Sequence, residues 1–168
     1  MGDLVRLEPK ATNHCFGCGG GNEAGMQLTF EEDGERRRIQ GRFTLGPRYQ
    51  GGGGMAHGGI IALLLDEVMG KVCKFSNARA VTAELQIEFL KPVPVNEEIV
   101  VEGWQDETKG RNLHHRGEIR NAAGGVLARG RGRFVAIAPR DAALAELGCS
   151  SEVKMGEFGF DKKRGAQS

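Results

Sequence analysis

The sequence predicts an α+β domain in which one long apolar helix is wrapped by an antiparallel sheet of about five to six strands. Three observations lead there. The stretch from Gly59 to Phe75 is apolar around most of its circumference, as expected of a central, buried helix. The segments on both sides of it are strand-like and separated by short turns rich in Gly, Pro, Asn and Asp. In the first segment after the helix, Val81, Ala83, Leu85, Ile87 and Phe89 alternate with Thr82, Glu84, Gln86 and Glu88. That period of two belongs to a sheet covered on one face, and the helix is the obvious cover.

Taken in order, Met26 to Glu31 and Arg37 to Leu45 are expected as an opening hairpin around the polar turn Glu32-Asp33-Gly34-Glu35. The glycines Gly51 to Gly54 then lead into the helix. Beyond Ser76-Asn77, four strands are expected at Val81 to Leu90, Glu98 to Gln105, Asn112 to Arg120 and Val126 to Ala138. Their turns fall at Lys91-Pro92-Val93-Pro94, Thr108-Lys109-Gly110 and Asn121 to Gly125. Two strands, a helix and a four-strand meander make an α+β order. Arg140 to Leu147 is expected as a short surface helix before a polar, mobile tail. The domain plan is an N-terminal segment with a CxxC turn at 1–24, the main domain at 25–139 and a C-terminal extension at 140–168.

Composition narrows the function classes. At 168 residues with no linker in the middle, the chain suits one domain with a proper core. Lys plus Arg (23) nearly balances Asp plus Glu (22), so no global field draws it to nucleic acid or anionic lipid. The longest apolar stretch, Ile60 to Leu65, is far below the roughly 20 residues of a spanning helix, and MGDLVRLEPK lacks a signal-peptide apolar region. A cytoplasmic protein without membrane or nucleic-acid partners is expected. Of Cys15, Cys18, Cys73 and Cys149, only the first two have a recognisable spacing. His14 adjoins them, but a second CxxC or an HxxxH is missing, so CFGCGGG reads as a tight turn with reduced thiols and no metal.

The chemistry concentrates in Tyr49 to Gly70, YQGGGGMAHGGIIALLLDEVMG. An acid inside an apolar helix must be paired, pushed to a higher pKa or aimed at a cleft, because an unpaired buried carboxylate is costly. Asp66 shares a helical face with Gly59, Ala62, Gly70 and Cys73, all small, which leaves room for a substrate or for a packed neighbour. Glu67 lies about 100° away around the helix and reads as structural. His57 and Gly58 stand at the helix N-terminus, where backbone N–H groups lack internal partners and the dipole favours negative charge.

Gln50-Gly51, Gly54, His57-Gly58-Gly59, Asp66 nine residues after the histidine, Thr82 sixteen further on and Lys91-Pro92-Val93-Pro94 form one constellation. In it, over residues 13 to 138, the chain resembles the phenylacetate-pathway (PaaI-like) hot-dog-fold thioesterases, which hydrolyse acyl-CoA. The resemblance implies a hot-dog fold and a homodimer, possibly a tetramer. Some members carry Asn where Gly51 stands, so Gln50 would take the place of that side chain.

A thioester is already activated, so hydrolysis needs a base or nucleophile and a donor for the oxyanion, with no metal or separate cofactor; coenzyme A enters only as part of the substrate. Asp66 is the candidate general base or direct nucleophile and Gly58 N–H the candidate oxyanion donor. The lack of a side chain at Gly58 and Gly59 lets the thioester come close to the backbone, or simply permits a tight junction, and Gly51 and Gly59 are counted as substrate-binding. His57 and Gln50 position the loop and thioester, and Thr82 orients the water or Asp66, although strict alternation puts it on the polar face with Glu84. From His57 to Asp66 the helix rises about 13 Å, too far for both groups to serve one carbonyl. An antiparallel pair of helices across a two-fold axis would bring Gly58 of one copy near Asp66 of the other.

Arg129, Arg131 and Arg133 on the last strand, and Lys109 and Arg111 in a turn, are the candidates for the coenzyme A phosphates. An exposed strand face balanced by Glu118 would equally explain the three strand arginines. His114 and His115 read as sheet residues. Two other classes stay open: a non-catalytic acyl-CoA-binding module with this fold, which has no need of Asp66, and a hot-dog hydratase, which would bring an Asp and a His together in one motif.

Overall fold

The computed structural model describes residues 4–140. It consists of β1 (Leu4–Leu7), β2 (Phe30–Asp33), β3 (Arg38–Thr44), α1 (Gly58–Val72), β4 (Ala78–Phe89), β5 (Glu98–Lys109), β6 (Asn112–Asn121) and β7 (Val126–Pro139). The strands form one sheet in the order β1-β2-β3-β5-β6-β7-β4, every neighbouring pair antiparallel. This is the expected α+β architecture, with seven strands in place of five to six, but the four strands after the helix are not a simple meander: β4 lies at the far edge against β7, and β5 pairs with β3 instead. β1 and β4 are the two open edges.

α1 starts where His57, with extended backbone (φ −64, ψ 139), caps it through its side chain. Ile61, Leu64, Leu65, Val68, Met69 and Val72 recur at spacings of one, three and four and are buried against the sheet. The helix ends at Val72, three residues before the expected Phe75, because the chain tightens into a 3-10 turn at Cys73–Ser76 and leaves it through left-handed Asn77.

The contact between helix and sheet depends on a row of glycines. Gly103, Gly117 and Gly130 stand side by side on β5, β6 and β7. A Cβ there would lie 3.1 Å from the Val68 carbonyl oxygen, 3.2 Å from Leu65 Cδ2 and 3.1 Å from Met69 Cε. Such distances leave no slack, so the bare backbone of three adjacent strands lets the helix lie directly on the sheet. His115, also on the helix side, is buried and stacks on Phe134 at 5.1 Å. Its Nδ1–H donates to the Met69 carbonyl oxygen at 2.8 Å, serving the helix from the sheet as expected of a sheet residue.

Four local expectations are corrected. β1 was not anticipated; its four residues pair with β2, so the N-terminal segment contributes a strand to the same sheet as the main domain. The strand expected at Met26 begins only at Phe30, because Met26 N–H and Leu28 N–H bond instead to the Phe16 and Gly17 carbonyls (both 2.8 Å). β5 runs to Lys109, so the turn to β6 shrinks to Gly110 and Arg111, with Gly110 at φ +58. β4 starts at Ala78 and is irregular at Ala83, which undoes the strict alternation. The expected helix after Arg140, the tail and Cys149 lie outside the described residues. Among the described residues no helix is long and apolar enough to cross a membrane.

Candidate active site

The irregularity in β4 decides where Thr82 points. Thr82 is the neighbour of Phe134, while Glu84, two residues later, is the neighbour of Arg133, so Ala83 is an extra residue in the strand. Side chains paired across a sheet share a face. Thr82 therefore joins Leu85, Ile87 and Phe89 on the helix side, and Glu84, Gln86 and Glu88 face away with the arginines of β7. An unbroken strand would have kept Thr82 and Glu84 together, which was the conflict in the sequence. The bulge resolves it.

Thr82 Oγ1 then donates a hydrogen bond to Asp66 Oδ1 at 2.8 Å. Asp66 is half-buried on α1. Burial raises its carboxyl above the ordinary value of 3.8; the Thr82 hydrogen bond works in the opposite direction, and the neighbouring Glu67 charge raises it further. One carboxylate oxygen is held by Thr82 and the other remains available to a second partner.

The glycine segment lies at the other end of the helix. Gln50 and Ala56 form an isolated bridge, as do Met55 and Pro94, and Ala56 N–H bonds to the Val93 carbonyl at 2.8 Å. These contacts tie the loop to the KPVP turn that follows β4. Gly54, at φ +77, takes a conformation that other residues resist. His57 Nδ1 accepts the Gly59 N–H at 2.9 Å, and the His57 carbonyl accepts from Ile60 (2.9 Å) and Ile61 (3.1 Å). Three of the four amides of the first turn are thereby satisfied. Gly58 N–H is the fourth; it has no partner among the described residues, and Gly58 is exposed. Gln50 is exposed, and a Cβ on Gly51 would come within 3.1 Å of His57 Cα.

A cleft of about 440 Å³ opens here, lined by Gly51, Met55, His57, Gly58, Phe89 and Leu90 among others. Phe89, Leu90 and Met55 are exposed apolar side chains at its mouth, and a Cβ on Gly58 would sit 3.7 Å from the Phe89 ring. None of the three is marked by a chemical motif in the sequence. Their only signal is position: Phe89 ends the strand that carries Thr82, Leu90 follows it, and Met55 stands two residues before His57.

Gly58 touches the Phe89 end of β4 and Asp66 touches Thr82, so helix and strand run side by side in opposite senses. Eight residues of unbroken helix put Gly58 and Asp66 about 12 Å apart along the axis. One chain does not bring them together.

The basic candidates lie elsewhere. Arg129, Arg131 and Arg133 alternate with Gly130 and Gly132, whose positions face Met69 on the helix, so the arginines occupy the outer face of the sheet. Arg129 Nε pairs with Glu118 at 3.1 Å, and Arg133 Nε with Glu84 at 3.5 Å. Lys109, at the β5–β6 turn with Arg111, pairs with Glu107 at 2.9 Å. The sheet separates the three strand arginines from Asp66. Glu67, one residue after Asp66, is turned towards the CFGC turn and accepts from Cys15 Sγ at 3.2 Å.

Known proteins resemble this chain in sequence and in fold. The thioesterase superfamily model matches residues 53–128, from the glycine loop into β7. The acyl-coenzyme A thioesterase THEM4 of Rattus norvegicus is 38% identical over 77 residues, which is 46% of this chain and 33% of that protein. The chain thus matches about a third of that relative's length. A crystal structure of a thioesterase superfamily protein aligns at TM-score 0.68 and 32% identity over 73% of this chain and 60% of that one. The E. coli PaaI protein, from the phenylacetic acid degradation operon, aligns at TM-score 0.58 and 20% identity over 62% and 75%. Motif, fold and family match agree: residues 53–128 match the thioesterase superfamily model, and the helix wrapped by an antiparallel sheet is the hot-dog fold that the resemblance implied.

Proposed function

We propose that this chain hydrolyses acyl-CoA thioesters, with Asp66 as general base or nucleophile, Gly58 N–H as oxyanion donor, and each site shared between two copies. The observation that carries the reading is the hydrogen bond from Thr82 to a half-buried Asp66, which the β4 bulge makes possible. A carboxylate with a raised pKa is a better proton acceptor, and Thr82 fixes its direction while leaving the second oxygen for water. In the general-base route, Asp66 takes a proton from water as the oxygen attacks the thioester carbonyl carbon. The oxyanion accepts from Gly58 N–H, and collapse breaks the C–S bond to release the coenzyme A thiolate, which recovers a proton. In the nucleophilic route, Asp66 attacks the same carbon and expels the thiolate, and water then hydrolyses the mixed anhydride. His57 caps the helix in both, keeping Gly59 N–H occupied and Gly58 N–H free.

The edge strand supports the dimer. β4 has one covered edge, against β7, and one open edge, with Val81, Phe89 and Leu90 all at least 40% exposed. An open twelve-residue edge is a template for pairing. Pairing β4 with its own copy about a two-fold axis near Leu85 and Gln86, midway between Thr82 and Phe89, sets Asp66 of one copy towards Gly58 of the other. The THEM4 relatives are named as acyl-coenzyme A thioesterases, which supports the substrate class.

The test is free-thiol release from a panel of aryl, short, medium and long acyl-CoAs. Wild type releases thiol from at least one, and Asp66→Asn lowers kcat by about 100-fold or more, the scale of a lost general base. An undiminished rate in folded Asp66→Asn overturns the assignment, and tight binding without release points to a non-catalytic module. Site sharing is tested by co-expressing Asp66→Asn with Gly58→Pro. Each mixed dimer then has one intact site, so random pairing restores about a quarter of wild-type activity; no recovery beyond the two parents overturns the shared site.

A further inference from the structure

We propose that Cys15, Cys18 and Glu67 form a three-ligand zinc site that pins the N-terminal turn to helix α1, outside the hydrolytic machinery. The sequence shows two thiols at CxxC spacing beside His14, whose Nδ1 is turned to the Gly21 carbonyl (3.0 Å). The fold supplies the third from 49 residues beyond Cys18. The two Sγ atoms and a Glu67 carboxylate oxygen lie within 4.8 Å of one another, the one such convergence of ligand side chains among the described residues. Around a tetrahedral zinc, with Zn–S near 2.3 Å and Zn–O near 2.1 Å, ligand atoms stand roughly 3.6–3.8 Å apart. Closing onto an ion therefore needs side-chain rotation and no backbone movement. All three cysteines of the described residues, Cys15 and Cys18 among them, are free thiols.

The ligands are carried on firm supports. Glu67 belongs to the middle of α1. The CxxC turn is closed by Gly19 N–H to the Cys15 carbonyl (2.9 Å) and Cys15 N–H to Asn13 Oδ1 (3.0 Å). It is joined to the next segment by the Phe16 and Gly17 carbonyls. Gly19 is required bare, because a Cβ there would overlap the turn's own backbone at Asn13 and Cys15, and a Cβ on Gly17 would meet the Glu67 side chain, which shows how closely the acid lies against the turn. A turn built only to pack Phe16 has no need of that convergence on an acid, and Phe16 is itself 49% exposed.

The chemistry selects the ion. Two thiolates with one carboxylate suit zinc and are a poor match for magnesium or calcium, which prefer oxygen alone. Three anionic ligands around a dication leave one net negative charge. Lys71, one helical turn beyond Glu67 and close enough to Cys18 for its charge to act on the thiol, offsets it. Water completes the fourth position. Binding converts two thiols to thiolates and releases about two protons to solvent.

The experiment uses the reduced full chain, stripped with a chelator and titrated with cobalt(II) and then zinc. The expected result is a thiolate-to-cobalt charge-transfer band saturating at one equivalent per chain, displaced by zinc, with release of about two protons. Cys15→Ser and Cys18→Ser each abolish it. Glu67→Gln keeps both thiols, so it tests the third ligand even if the serine variants misfold. It should weaken binding by at least about tenfold, the loss seen when even an outer-shell partner is removed. Cys73→Ser and Cys149→Ser leave the band in place. Absence of the band in wild type, unchanged affinity in Glu67→Gln, or loss of the band with Cys149 overturns the site. Thiol release from acyl-CoA is a separate readout, so failure here leaves the hydrolytic reading standing, and failure there leaves this one standing.

Discussion

The two ends of the working half of α1 differ in almost every physical respect. At Gly58 the chain is exposed, has no side chain and presents one backbone N–H without a partner at the positive end of the helix dipole. At Asp66 it is half-buried and carries a carboxyl raised by desolvation and steered by Thr82. One end suits an oxygen gaining negative charge, and the other suits a proton to be removed. A rigid helix keeps them about 12 Å apart, which is why the proposed site draws its second half from another copy.

The largest effect is expected from disabling the Gly58 end alone. Proline at the first helical position removes the N–H yet fits the helix, and His57, at ψ 139, already has the extended backbone that precedes proline. The nearest atoms to a Cβ at Gly58 are those of the Phe89 ring at 3.7 Å, an ordinary contact. Gly58→Pro should lower kcat by about 100- to 1,000-fold, as for a lost oxyanion donor. Gly58→Ala, which keeps the N–H, should stay within about threefold of wild type. Equal losses in the two variants would mean that space, and not the donor, matters at this end.

At the Asp66 end, Thr82→Val should cost about tenfold in kcat, less than the roughly 100-fold or more of a lost acid–base group, because the acid remains while its orientation is lost. Removing the donor also takes away what lowers the Asp66 carboxyl, so the acidic limb of the pH–rate profile moves to higher pH. A limb that moves to lower pH, or stays in place, separates Thr82 from Asp66.

Stability should show a smaller and opposite effect at the same residue. The folded Asp66 keeps its proton at pH values where the unfolded chain, near 3.8, has lost it. Its contribution is therefore greatest below that value and declines as pH rises through the raised native pKa. Asp66→Asn removes the charge that burial penalises, so the inactive variant should melt at a higher Tm than wild type near neutral pH and lose that advantage in acid. A lower Tm at neutral pH would show that the charged carboxylate is held by more than Thr82.

Past both ends, His115 grips the helix at Met69, and burial holds its imidazole below the ordinary 6.5. The unfolded chain takes up this proton first, so stability is full above about 6.5 and falls as pH drops below it. His115→Gln retains a donor for Met69 without the titration, and its Tm should fall less steeply between pH 7 and 5. An identical slope would assign acid sensitivity elsewhere.

Much of this was legible in the residues because the signals are local. The helix, the four strands after it and the Gly58 and Asp66 candidates follow from periodicity, turn residues and the improbability of an acid in an apolar helix; the strand order does not, since β4 pairs with β7 and not with β5. Thr82 was legible as a residue and not as a direction. Its alternation pointed away from Asp66, and only the extra residue at Ala83 turned it round. Phe89, Leu90 and Met55 at the mouth of the cleft have no chemical signature, since an apolar residue at a strand end reads the same whether it covers core or lines a site.

By itself, then, the sequence determined what short-range physics can encode: which segments are helix or strand, where the chain turns, and which acid and which glycines are out of place. The tertiary structure decided what depends on register and on residues distant in the chain. It alone paired Leu4–Leu7 with β2, aligned Gly103, Gly117 and Gly130 beneath the helix, and carried Glu67 to Cys15. The reason is the same in each case. A contact between residues tens of positions apart leaves no periodic trace in either segment, and one inserted residue in a strand reverses which face every later side chain occupies.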